Sequence, residues 1–237
     1  MLEAILFDLD GTLLPMDNDL FTKVYFGYLA ETASKWGYTD KEKLISGIWA
    51  GVKSMVKNDG TKPNEQAFWE TFSAVMEKDC SDDIKRFDSF YENEFEKARE
   101  ITGDASRAKE AVNAAHEKAK HVILASNPIF PRVGTKTRLS WAGLTPEDFD
   151  WVTEYSNSCF CKPTPEYYRD ILNRFGLTPS NCLMVGNDMQ EDFAAASSLG
   201  IPCFIVTDNL INRTGEEIAC PHGTYSDMIE YIKSLRT

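Results

Sequence analysis

From residue 105 to residue 206 the chain alternates short apolar runs with helical patterns, and few architectures accommodate that alternation. "HVILA" at 121–125, "CLMVG" at 182–186 and "PCFIV" at 202–206 are too short for helices and carry apolar residues at nearly every position, as strands buried on both faces do. Helical stretches are expected near 105–119, 131–142, from "TPEYYRDIL" onward and at 190–199, the last ending at Gly200, with one more strand in "FDWVTEY". The opening "ILFDLDGTLL", residues 5–14, begins with another buried-strand run. The pattern specifies an α/β fold, a Rossmann-like parallel sheet sandwiched by helices.

Residues 15 to about 100 break this rhythm and read as helix after helix. Phe21, Val24, Tyr28 and Leu29 recur at helical spacing, as do Leu44, Ile48, Trp49 and Val52, then Phe68, Phe72, Val75 and Met76, then Ile84, Phe87, Tyr91 and Phe95. "WGYTD", "KNDGTKP" and "KDCSDD" punctuate these blocks with turn and N-cap residues. Aromatic residues at such spacing are expected mainly to form the core of a small bundle, a few of them also lining an entrance.

In parallel sheets ligands gather beyond the carboxyl ends of the strands. The polar residues that follow the apolar runs are Asp8 and Asp10, Ser126 and Asn127, and Asn187 and Asp188; Asp192 lies one helical turn past Asp188. Lys162 stands just before a helix start, with Thr164 as its N-cap and Pro165 as its first residue. Asp8, Asp10, Asp188 and Asp192 thus bring four negative charges to one rim, against Lys162 as the single positive among these candidates. Crowded carboxylates require bound protons or a divalent cation. Hard oxygen donors without histidine or thiolate favour Mg²⁺, which keeps several waters and leaves room for a substrate phosphate. Asp8 and Asp10, two apart in extended chain, face one side; Gly11 then permits a tight departure and Thr12 bonds back into the turn.

Four ordered motifs, "DLDGT" at 8–12, "LASN" at 124–127, "CKP" at 161–163 and "GNDMQED" at 186–192, make the chain resemble the haloacid dehalogenase superfamily, in its small-helical-cap phosphatase branch (subfamily I). The resemblance implies a Rossmann-like catalytic core of residues 1–14 and 101–237 and an inserted helical cap of residues 15–100. It implies that Asp8 attacks phosphorus to form an aspartyl-phosphate, that Asp10 acts as acid and then base, and that Ser126, Asn127 and Lys162 bind the phosphoryl oxygens. Mg²⁺ would be held by the Asp8 side chain, the Asp10 main-chain carbonyl and Asp188. Many relatives carry Gly-Asp where this chain has Gly186-Asn187-Asp188, so either Asp188 or Asp192 qualifies as the inner ligand; Asp188, nearer the strand end, is the expected one.

The implied reaction is Mg²⁺-dependent hydrolysis of a small phosphorylated metabolite, such as a sugar phosphate, nucleotide or glycolate-like phosphate. A phosphomutase using the same aspartyl-phosphate is the main alternative, and a non-catalytic phospho-acceptor signalling module a remote one. Asp10 argues against a halide-releasing enzyme, whose branch is not expected to carry the second acid. The net charge of −12 argues against a nucleic-acid partner. No apolar run approaches the roughly 20 residues that cross a bilayer, so no membrane role is expected. The six cysteines are scattered, partly in strand-like runs, and point to a reduced, cytoplasmic setting; the lone Cys159-Phe160-Cys161 pattern carries no metal assignment. The oligomeric state is not encoded in any pattern of the chain.

Overall fold

The computed structural model describes residues 1–236. Six parallel strands form one sheet in the order β3-β2-β1-β4-β5-β6: β1 is Leu2–Phe7, β2 Ala119–Leu124, β3 Trp151–Val152, β4 Cys182–Gly186, β5 Cys203–Val206 and β6 His222–Gly223. Alternation along each strand sorts its side chains into two cores. Ile5 and Phe7 of β1, Val122 and Leu124 of β2, and Leu183 and Val185 of β4 pack with Val112 of helix α5 (Ala108–His116), Leu139 of α6 (Arg132–Trp141) and Ile229 of α9 (Tyr225–Ser234). Ala4, Leu6, Ile123 and Met184 face the other way, onto Tyr168 and Ile171 of α7 (Pro165–Phe175) and Ala196 of α8 (Ala195–Ser197). Burial on both faces explains the unbroken apolar runs.

Between β1 and β2 the chain forms α1 (Asn18–Ser34), α2 (Lys41–Val56), α3 (Asn64–Met76), α4 (Ile84–Glu92) and a 3₁₀ stretch over Glu94–Ile101. Asp17 and Asp40 cap α1 and α2 by accepting from backbone N–H groups at 2.9 Å, which fixes where these helices begin. Their shared core is aromatic. Phe72 and Phe87 meet edge to face with centroids 5.7 Å apart, and Tyr38 packs on both while donating to the buried Asp83 at 2.7 Å. This helical segment is tied to the sheet layer through α6: Thr137 donates to the Tyr91 carbonyl at 3.0 Å, and Trp141 Nε1 donates to Glu96 at 2.6 Å.

Three local readings needed correction. "FDWVTEY" pairs as a strand only at Trp151–Val152, which forms the edge strand β3 against Ile123 and Leu124 of β2. The helix expected over 190–199 is a π-helical turn, Met189–Ala194, running into the short α8. Strand β6, two residues long, had no apolar run to announce it. Among the described residues no helix is long and apolar enough to cross a membrane, and all six cysteines are unpaired thiols.

Candidate active site

The sheet order turns at β1, whose neighbours β2 and β4 leave on opposite sides; a crevice opens at such a reversal, beyond the carboxyl ends of the strands. Backbone hydrogen bonds fix the three chain exits together: Asp8 N–H donates to Val185 O at 2.9 Å and Ala125 N–H to Phe7 O at 2.7 Å. Asp8, Ser126 and Asp188 therefore leave β1, β2 and β4 side by side, all buried. Asp8, Asp10, Ser126, Asn127, Asp188 and Asp192 all line one cavity.

Lys162 is completely buried and reaches this group from the loop before α7, donating to Asp8 Oδ1 at 3.0 Å and to Asp192 Oδ1 at 2.6 Å. Burial works against its ammonium charge, and the carboxylates of Asp192 and Asp8 outweigh that, holding it well above the usual lysine range. Burial pushes the Asp8 carboxyl upward, with Lys162 opposing. The residue expected to cap α7, Thr164, does occupy the N-cap position, but its hydroxyl donates to the Cys161 carbonyl at 2.8 Å.

The two acids of the fourth motif have different surroundings. Asp192 is 1% exposed, and its Oδ2 accepts from the N–H groups of Asn187 and Asp188 at 2.9 and 3.0 Å while Oδ1 holds Lys162. Both of its oxygens are thus engaged in shaping the loop and orienting the lysine. Asp188 caps the π-helical turn with Oδ1, accepting from Gln190 and Glu191, and turns Oδ2 to Arg213 at 2.8 Å. Gly186 makes room for this arrangement, since a Cβ there would lie 2.2 Å from the Asp192 carboxyl.

The extra residue of that motif, Asn187, clamps three loops. It accepts from Thr12 at 3.2 Å and donates to the Asn209 carbonyl at 2.7 Å. Its amide packs onto Gly11, which has φ +86° and whose added Cβ would meet Asn187 Nδ2 at 2.2 Å. The glycine after Asp10 is thus required twice, for its conformation and for its missing side chain.

Three participants are absent from the sequence-based list. Arg138, 1% exposed on α6, pairs with Asp10 Oδ2 and stacks 4.0 Å over the Phe130 ring. Arg213, from the loop after β5, pairs with Asp188. Glu191 accepts from Asn127 Nδ2 at 3.0 Å, and burial raises its carboxyl to about 7. The count of four acids against one cation is therefore corrected to five against three. Each of the two first-strand acids has its own cation: Asp8 is held by Lys162 and Asp10 by Arg138. Arg138 is illegible in the sequence because a lone arginine inside a helical pattern carries no motif signal; Glu191 lies inside "GNDMQED", between the two aspartates to which that motif directs attention.

The donors present suit a hard divalent cation. Asp8 and Asp188 offer carboxylate oxygens in one cavity without histidine or thiolate, and Asp188 already has a cationic guanidinium on the oxygen that faces outward. That guanidinium belongs to a side chain 61% exposed, so it is free to yield its place. Asp10 Oδ1 and Asn127 Oδ1 are buried without a hydrogen-bond partner among the described residues, leaving two acceptors for a bound group.

The family model of the haloacid dehalogenase-like hydrolases matches residues 2–200. The chain is 25% identical over 195 residues to pyrophosphatase PpaX of Bacillus velezensis, an alignment spanning 82% of this chain and 79% of that one. It superposes on a HAD phosphatase from Thermococcus onnurineus with a TM-score of 0.62 at 18% identity, over 99% and 100% of the two chains. The putative HAD-hydrolase YfnB from Bacillus subtilis, in a magnesium-bound crystal form, gives 0.60 at 15% identity over 99% of each chain. With its parallel sheet, its inserted helices and nearly its whole length accounted for, the chain belongs to the haloacid dehalogenase-like hydrolase family and is an enzyme.

Proposed function

We propose that the protein is a Mg²⁺-dependent phosphatase that cleaves a small phosphate monoester through an aspartyl-phosphate on Asp8. The observation that carries this reading is the pairing of a buried carboxylate, Asp8, with a completely buried lysine at 3.0 Å, the carboxylate lining a cavity that also holds a second acid, Asp10. A nucleophile needs an anionic oxygen, a phosphoryl group needs a fixed cation, and the departing alcohol needs a proton. The relatives point the same way, one being a pyrophosphatase, another a phosphatase and a third bound to magnesium.

In the first step an Asp8 oxygen forms a bond to phosphorus as the phosphorus–alkoxide bond breaks, and Asp10 gives its proton to the departing oxygen. In the second, water attacks phosphorus, Asp10 takes the proton back, and the Asp8–phosphorus bond breaks to release phosphate. Lys162 holds the phosphoryl oxygens against Asp8, and the Ser126 hydroxyl and Asn127 amide donate to them. Burial raises the Asp10 carboxyl, which favours the protonated form the first step requires, while Arg138 opposes that rise and stabilises the carboxylate the second step requires. Mg²⁺ bound by Asp8, Asp188 and the Asp10 carbonyl would neutralise charge on the phosphoryl group. Asp188 is preferred to Asp192 as the inner ligand because both Asp192 oxygens are held by buried donors, whereas one Asp188 oxygen is held only by the exposed side chain of Arg213. In this reading the segment 15–100 is the cap that covers the site.

The test is a screen of phosphate monoesters with and without Mg²⁺, with Asp8→Asn as the blank. Metal-dependent release of phosphate that disappears in the variant is expected; activity that persists in Asp8→Asn would overturn the nucleophile assignment.

A further inference from the structure

The cavity that holds Asp8 and Asp10 does not end at the phosphoryl site. The whole cavity measures about 230 Å³ and continues between the sheet layer and helices α1 to α4, walled there by aromatic and aliphatic side chains including Phe26, Trp49, Phe68, Trp69 and Phe87. Their ring pairs are mostly edge to face, Phe26 with Trp49 at 5.4 Å and Trp69 with Phe87 at 5.4 Å.

Several polar groups in that wall already have partners. The hydroxyls of Tyr25 and Tyr91 bond each other at 2.8 Å, Trp69 Nε1 donates to the Tyr155 hydroxyl at 3.4 Å, and Thr22 donates to the Asn18 carbonyl at 2.8 Å. Two acceptors stand out. Asn18 Oδ1 is buried without a partner, and the Asp88 carboxylate of α4 makes no hydrogen bond or ion pair among the described residues. Asp88 is half-buried next to Phe87, and the charges that act on it, Glu65 and Glu92, are also negative. Among the described residues no lysine lines the cavity and Arg213 is its one arginine; Arg213 is engaged with Asp188, and the buried Lys162 and Arg138 behind the wall are engaged with Asp8 and Asp10.

An anionic guest meets repulsion there, and a neutral apolar one leaves a carboxylate desolvated and unpaired. A cation satisfies both the acid and the aromatic faces, which attract positive charge through the ring quadrupole. Building on the phosphatase reading, we propose that the alcohol portion of the substrate is a compact organic cation, a substituted ammonium, seated among the cap aromatics with Asp88 as its counter-charge. The class thus differs from sugar phosphates, nucleotides and inorganic pyrophosphate.

The experiment compares kcat/KM for choline phosphate, for its neutral isostere 3,3-dimethylbutyl phosphate and for glucose 6-phosphate, in wild type, Asp88→Asn and Asp88→Glu. 4-Nitrophenyl phosphate serves as a general reporter of phosphatase chemistry. Wild type is expected to prefer choline phosphate to the isostere by ~10-fold or more, and Asp88→Asn to bring that ratio close to unity, with Asp88→Glu restoring part of it. Equal turnover of the charged and neutral esters, a preference for the sugar phosphate, or an Asp88→Asn effect equal on both esters would overturn the proposal while leaving the phosphatase intact. Failure of the phosphatase reading looks different: no ester, including the reporter, is hydrolysed. In that case quenching of Trp49 and Trp69 fluorescence by choline phosphate, stronger than by the isostere, still reports the pocket, and its absence counts against it.

Discussion

At the residue scale, the buried charges of the site are paired, Lys162 with Asp8 and Asp192 and Arg138 with Asp10. Lys162 is the pivot, since it neutralises both Asp8 and Asp192 without contact with solvent. Replacing it by methionine keeps the volume but strands two buried carboxylates. Lys162→Met is therefore expected to lose ~3–5 kcal/mol of stability in urea unfolding, besides its activity; a change below ~1 kcal/mol would show that the lysine charge is not needed to bury these acids. Gly11 is equally exposed to test. Its φ of +86° and the Asn187 amide 2.2 Å from a virtual Cβ make Gly11→Ala strained and crowded at once. The expected cost is ~1–3 kcal/mol, and the second replacement Asn187→Ala should recover the crowding part of it but not the conformational part.

At the element scale, the aromatic core of α1 to α4 sets the shape of the segment that faces the site. Phe72 is fully buried against Phe68, Trp69 and Phe87. Phe72→Ala should destabilise the protein by ~3–5 kcal/mol, read from the midpoint of denaturation at constant slope. Asp83 anchors the start of α4 by accepting from Tyr38 at 2.7 Å, Lys78 at 2.8 Å and Arg86 at 2.7 Å. Burial alone would raise its carboxyl, but Lys78 and the Tyr38 hydroxyl prevail and lower it below the ordinary 3.8. The folded form then binds its proton less readily than the unfolded chain does. Its stabilisation is present above pH 3.8 and is lost as the pH falls through the folded value. Asp83→Asn should lower stability at pH 7 by ~1–3 kcal/mol and flatten the acid limb of the stability curve; an unchanged acid limb would refute that role.

At the scale of the whole molecule, what the sequence made legible is what repeats or sits at fixed offsets. The strands of the central sheet were readable because burial on both faces leaves uninterrupted apolar runs, and Asp8, Ser126 and Asp188 because each follows such a run directly. Arg138 and Arg213 were not, since they meet Asp10 and Asp188 only through the tertiary fold, 128 and 25 residues away along the chain. Strand β6 is too short for a periodic signal, and the π-helical turn after Asp188 differs from an α-helix by a spacing that hydrophobic patterning does not resolve. The aromatic residues between 21 and 91 were expected mainly as bundle core; Phe72 fits that, whereas Trp49 is 50% exposed and stands at the cavity.

The account depends most on phosphorus being carried by Asp8, with Asp10 working in both halves of the reaction. Asp10→Asn separates the halves when the substrate is 4-nitrophenyl phosphate, whose leaving group departs without a proton. Rapid-quench kinetics with peptide mass spectrometry should then show one equivalent of nitrophenol released per enzyme and a phosphoryl group retained on the peptide containing Asp8. A phosphoryl group on a different residue, or wild-type hydrolysis of the same ester by Asp8→Asn, would contradict the account.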